Sequence, residues 1–199
     1  PLPDNLEDLN QMEYQNIIVR GHFIHDRELM IGPRGLISPK AADSHQGGGL
    51  FTAQSSSSGF QIITPFKLEG REETILVNRG WVSRDKKNPS TRRQGQIEGV
   101  TEIQGIVRLA EARPQFTPEH RGNSLFFYRD LTKMSAMTNS EPYFLDIKYD
   151  PALPAQAPIG GQTRITLRNE HLSYIVTWYS ISAFTGFIWW KKVIHKVPF

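Results

Sequence analysis

Apolar side chains recur at every second position in three separate stretches of this chain. Ile17, Val19, Gly21 and Phe23 share one side of an extended segment, as do Ile103, Gly105, Val107 and Leu109, and again Tyr143, Leu145, Ile147 and Tyr149. Alternation of period two marks a strand with one buried face and one wet face. Two further stretches, FQIITPF at 60–66 and TILVNRGWV at 74–82, read as strands. The second begins as a nearly continuous apolar run, as a central strand does. One short soluble helix is expected, with Asp130 as its N-cap and Leu131, Met134 and Met137 on its inner face. The fold class is therefore mainly β: a small antiparallel β-barrel or sandwich-like domain with one short helix, occupying residues 1–150.

The pattern changes near the C-terminus. Residues 172–190, LSYIVTWYSISAFTGFIWW, carry no charge, and Lys191 and Lys192 follow at once. As a helix this run is about 28 Å long, against a bilayer hydrocarbon core of roughly 30 Å. Trp189 and Trp190 stand where an interfacial aromatic belt would sit, with Lys191, Lys192 and Lys196 behind them. These features predict a transmembrane helix over 169–192, with the short basic tail 193–199 on the cytoplasmic or matrix side. The Ser and Thr content favours the alternative, a buried helix of a soluble protein. On a helical wheel Asn169, Ser173, Thr177, Ser180 and Phe184 share one face, and His171, Trp178, Ser182, Thr185 and Trp189 the other. Ser173, Thr177 and Ser180 would either contact a partner helix or bond their own backbone one turn back. Residues 151–168 read as a Pro/Gly-rich connector and membrane approach that sets the domain's distance from the bilayer.

Two long loops are expected between strands. Residues 32–59 are rich in Gly, Ser and Pro, and 83–99 carry Arg84, Lys86, Lys87, Arg92 and Arg93, either a solvated turn or a patch for anionic headgroups or an acidic partner. Over the 199 residues, Lys plus Arg exceed Asp plus Glu by 23 to 20, too small a bias for nucleic acid. The absence of cysteine removes disulfides, thiolate nucleophiles and iron–sulfur clusters together. The chain starts at Pro1 without an initiator Met or a leader, so its true start is expected to lie upstream.

Enzyme signatures do not emerge. Gly-Pro-Arg-Gly at 32–35 and the triple glycine at 47–49 lack the Lys and Ser/Thr of a phosphate loop and read as turn formers. The histidines at 22, 25, 45, 120, 171 and 195 never recur at zinc-site helical spacing, so no metal site is expected. Glu72, Glu73, Asp130, Glu141 and Asp146 read as surface carboxylates, and no catalytic residue is assigned. His171 differs, because it stands one residue before the apolar run. A neutral imidazole there would ligate haem iron with Trp178 covering the porphyrin, or would simply bond backbone or water at a helix entrance.

The run GGQTRITLRNEHLSYIVTWYSISAF at 160–184, with ILVNRGWV at 75–82, GIVRLAEARPQF at 105–116 and FYRDL at 127–131, resembles the Surfeit locus protein one family, called Shy one in yeast. The similarity runs from about Tyr14, through RGHF and RELM, to Lys192. The resemblance implies a non-enzymatic assembly factor for cytochrome c oxidase. Such a factor acts early at the catalytic subunit with other assembly factors, and is anchored by two helices in the mitochondrial inner membrane, or in the bacterial plasma membrane, the upstream one expected to be missing from this chain. Its soluble domain would face the intermembrane space and its C-terminus the matrix. The resemblance also implies transient haem a handling, with His171 at the family's histidine and Asn169, Leu172, Tyr174, Thr177 and Trp178 filling the rest of the pattern. Arg164 and Arg168 would then meet haem propionates or lipid phosphates. The alternative is a stably bound scaffold protein of the oxidase that never handles haem.

Overall fold

The computed structural model describes residues 2–3, 5–37, 58–118, 120, 122–163 and 171–194, the side chain of His171 excepted. The chain divides into two compact units, Pro1–Arg164 and Ile165–Phe199.

Among the described residues the first unit holds seven strands: β1 (Asn16–Phe23), β2 (Leu29–Gly35), β3 (Ser58–Leu68), β4 (Thr74–Ser83), β5 (Thr101–Arg108), β6 (Leu125–Phe126) and β7 (Phe144–Ile147). Their order is β1-β5-β7-β4-β3-β2-β6. The last residues of β1 also pair with the end of β3, Gly21 opposite Leu68 and Phe23 opposite Phe66. That second pairing closes β1, β5, β7, β4 and β3 into a small barrel, and β2 and β6 extend from the first half of β3. The seam depends on Gly21, where a Cβ would overlap the Lys67 carbonyl. The pairing is mixed rather than wholly antiparallel, since β4 runs parallel to β7 and β2 parallel to β6.

Alternation places Ile17, Val19 and Phe23 inside the barrel with Phe66, Ile75, Val77, Ile103, Val107 and Leu145. A 3-10 turn, Leu6–Gln11, adds Leu6 and Leu9 to this interior; Asn5 caps it by accepting the Glu7 N–H at 3.0 Å. A second core lies outside the barrel wall, where Leu76 and Phe144 meet Leu29, Ile31, Ile63, Phe126, Leu131 and Met134. Both faces of β4 are therefore covered, which is why its sequence is apolar without alternation.

Helix α1 (Leu131–Thr138) covers this second core. Asp130 caps it by accepting the Lys133 N–H at 3.1 Å, and Asn139 ends it in the left-handed conformation. Its inner face is Leu131, Met134 and Thr138; Met137, expected there, is 42% exposed. Thr138 takes the inward place because its hydroxyl donates to the Met134 carbonyl at 2.9 Å.

Several sequence expectations are corrected. The third alternating strand is short and has no wet face: Phe144, Leu145 and Asp146 are all buried, while Tyr149 lies beyond the strand and is half exposed. Gly-Pro-Arg-Gly at 32–35 is not a turn but the end of β2, carrying a register shift against β3 and a cis Gly32-Pro33 peptide. The triple glycine and Ser55–57 lie outside the described residues. The 83–99 segment is not a loose loop but two 3-10 turns packed on the barrel. The first part of the connector is no free tether either: Ile159 exchanges both backbone hydrogen bonds with Trp81 at 2.9 Å, and Gln162 is buried.

The second unit contains α2 (His171–Trp189), continued by a π-helical turn, Trp190–Ile194. Among the described residues no helix is long and apolar enough to cross a membrane. The transmembrane helix expected over 169–192 is thus not supported. The physical reason is dilution: three serines, two threonines, two tyrosines and a mid-helix tryptophan interrupt the aliphatic residues of a nineteen-residue helix.

Candidate functional site

The sequence Asn78-Arg79-Gly80-Trp81 organises the domain. Across β3 and β4 the register jumps from Ile63 opposite Asn78 to Ile62 opposite Gly80, so Arg79 is the extra residue of a β-bulge. Gly80 has φ +126°, and a Cβ there would overlap the Ile159 carbonyl. Asn78 holds the bulge by accepting the Gly80 N–H at 3.0 Å while its amide donates to Asp146 at 2.8 Å. Trp81 donates its indole N–H to the Arg34 carbonyl at 2.9 Å. One tetrapeptide thus fixes β2, β7 and the 159–163 segment together.

On the Asp146 side lies a polar cleft of about 370 Å³ lined by Arg34, Arg108, Glu111, Arg129, Asp146 and Gln162 among others. Asp146, expected on the surface, is 4% exposed. Its burial is offset by the Asn78 amide, by the Thr163 hydroxyl donating at 2.7 Å and by Arg108 at 4.0 Å. Glu111 pairs with Arg34 at 2.7 Å and accepts the Arg129 backbone N–H at 3.0 Å. Arg129 donates from Nε to the Leu109 carbonyl and lies over the Phe144 ring. Gln162 both accepts from and donates to the Ile37 backbone, standing in for a strand neighbour. Nε of Arg34 and of Arg108 are buried without hydrogen-bond partners among the described residues, although Arg108 Nε lies 3.7 Å from the Glu13 carboxylate.

Burial alone would raise the Glu111 carboxyl, but the Arg129 N–H and the Arg34 and Arg129 guanidiniums outweigh it and hold it below the usual glutamate value. A depressed folded-state value contributes stability above the unfolded-state value that is lost as pH falls through the folded one. Glu111→Gln is therefore expected to cost about 1 kcal/mol near neutral pH, with the difference from wild type shrinking below about pH 4. Urea denaturation at neutral and acid pH measures both.

On the other side of the bulge, Arg79 enters the barrel end. It is 4% exposed, donates to the Gly95 carbonyl, lies over the Phe23 ring and reaches Nδ1 of His25 at 3.4 Å. His25 Nε2 is 2.8 Å from the Ile97 carbonyl, so the ring donates there and Nδ1 is the acceptor for Arg79. Arg92, one of the basic residues expected in a solvated loop, is fully buried and pairs with Glu28. Three others of that basic cluster have contacts, Arg84 with Ser58, Lys86 with the Ala155 carbonyl and Lys87 over the Phe60 ring, while Arg93 is exposed.

The residues expected to carry function lie elsewhere. His171 opens α2, but its side chain, like Arg164 and Arg168 entirely, is outside the described residues. Ser173, Thr177 and Ser180 lie on exposed α2, where the Thr177 hydroxyl donates to the Ser173 carbonyl at 2.8 Å. Trp189, Trp190, Lys191 and Lys192 are exposed at its end, with Lys191 over the Phe187 ring. Leu172, Trp178, Phe184 and Trp189 are each at least 60% exposed although they point to different sides, so α2 is apolar all round.

Known proteins resemble this chain in sequence. The SURF1-like protein of Drosophila melanogaster is 52% identical over 198 residues, covering 100% of this chain and 65% of the relative. Surfeit locus protein 1 of Rattus norvegicus and that of Homo sapiens are each 45% identical over 199 residues, covering all of this chain and 63% and 65% of the relatives. The chain therefore spans a little under two thirds of the length of these curated relatives. The SURF1 family itself matches residues 1–183, a span that takes in every strand, the bulge at Arg79 and most of α2. On that match, the chain belongs to the SURF1 family.

Proposed function

We propose that the chain is a non-enzymatic assembly factor for cytochrome c oxidase that acts early at the catalytic subunit, alongside other assembly factors. Membership of the SURF1 family supports this reading, and the observation that carries it is α2. A helix apolar on every side needs an apolar environment, and with its aliphatic surface diluted by hydroxyls it is suited to packing among partner helices rather than to standing alone in lipid. In this reading α2 meets helices of the catalytic subunit in the mitochondrial inner membrane, or in a bacterial plasma membrane. Ser173, Thr177 and Ser180 lie at the contact, and Trp189, Trp190, Lys191 and Lys192 at the matrix-side headgroups. The barrel works in the intermembrane space.

Haem a would be cargo, not a resident cofactor. The wheel places Ile175 and Trp178 on the same side of α2 as position 171, and both are more than half exposed, apolar surface of the kind a porphyrin covers. His171 would supply the axial nitrogen, and Arg164 and Arg168 would take the propionates or lipid phosphates. The rival is a stably bound scaffold without haem. The absorption spectrum of full-length protein, purified in detergent from cells that make haem a, separates them. The proposal expects a stoichiometric haem a signal lost in His171→Ala; a haem-free wild type that still holds oxidase subunits supports the scaffold.

A further inference from the structure

The barrel wall has a gap. β5 pairs with β7 only from Gly105 opposite Ile147 to Arg108 opposite Phe144, and one more hydrogen bond joins the Lys148 N–H to the Gln104 carbonyl at 3.1 Å. Beyond it the chain swings away and returns at Ile159 to pair with Trp81. Residues 101–103 are left paired to β1 alone. The space between is a pocket of about 400 Å³. Its walls include Ile97, Ile103, Ile147, Leu153 and Pro158, and the deeply buried Arg79 lines it too.

Arg79 makes no ion pair among the described residues. Its contacts are a carbonyl, an imidazole nitrogen and an aromatic ring, none of them a carboxylate. Glu28 acts on it from a distance, but that carboxylate is already paired with Arg92, itself a buried cation. Arg79, Arg92 and Glu28 therefore leave one positive charge in excess beside a pocket whose aliphatic wall is joined by the exposed Glu102 and Asp150 and the half-buried Lys148. Burying an unpaired charge is costly, and a pocket that supplies the missing anion relieves the cost.

We propose that this pocket binds a small aliphatic carboxylic acid, its carboxylate at the Arg79 guanidinium and its chain along Ile97, Ile103, Ile147, Leu153 and Pro158. The bulge is what makes the site, since it turns Arg79 into the barrel end while Gly80 lets Ile159 and Gly160 approach closely. Burial lowers the Arg79 guanidinium to about 10, which still leaves it charged at neutral pH. This inference is independent of the role proposed for α2.

The test is calorimetric titration of the full chain with decanoate and with decanol. Decanoate is expected to bind saturably at one site and at least about tenfold more tightly than decanol, the worth of a charged hydrogen bond. Arg79→Gln is expected to remove that preference. Leu153→Trp, on the partly exposed rim, is expected to abolish binding by filling the pocket. If Arg79→Gln does not fold by circular dichroism, the decanol comparison and Leu153→Trp decide. Equal affinity for acid and alcohol, unchanged affinity in Leu153→Trp, or no saturable binding would each overturn the proposal.

Discussion

Glu28→Ala is expected to destabilise the barrel domain by about 3–5 kcal/mol, the cost of removing one partner from a buried ion pair. The Arg92 side chain is fully buried and that of Glu28 is 6% exposed, so water cannot replace the lost carboxylate. The effect extends beyond the pair, because Glu28 also offsets the charge of Arg79, and Arg92 repels it. Without Glu28, two buried guanidiniums face one another uncompensated. The reciprocal change leaves less strain: Glu28→Leu combined with Arg92→Met removes both charges and is expected to recover most of the loss. Chemical denaturation of Glu28→Leu, Arg92→Met and the double variant measures the coupling. Additive effects would contradict the pairing.

Gly80→Ala is expected to cost about 3 kcal/mol, combining a backbone conformation that an L side chain rarely adopts with overlap of its Cβ and the Ile159 carbonyl. The loss has a location. Trp81 and Ile159 donate their N–H groups to one another's carbonyls, so both amides should lose hydrogen-exchange protection while β1 and β5 keep theirs. Uniform loss of protection would mean that Gly80 serves the whole barrel rather than the 157–163 segment.

The strands of the barrel were legible because period-two alternation survives wherever one face meets solvent, as in β1 and β5. It failed at β7. There Asp146 occupies the expected wet face, but Asn78, Thr163 and Arg108 converge on it from distant parts of the chain. No local pattern announces such a meeting. Arg92 was misread for the same reason, as its partner Glu28 is 64 residues away. The interruption of an apolar strand by Asn-Arg-Gly was the available signal for a bulge. The C-terminal helix was found at nearly its full length, but counting uncharged positions overstated its hydrophobicity, because Ser, Thr, Tyr and Trp are uncharged without being aliphatic.

α2 is proposed to meet helices of the nascent oxidase. The contact is tested by placing a photo-activated crosslinking residue at Ser180 of the full-length protein and pulse-labelling mitochondrial translation. A crosslink to newly made catalytic subunit is expected, and it disappears when Phe184, on the same face, is changed to Asn. A catalytic subunit captured equally well by the Phe184→Asn variant, or never captured from α2 at all, would contradict it.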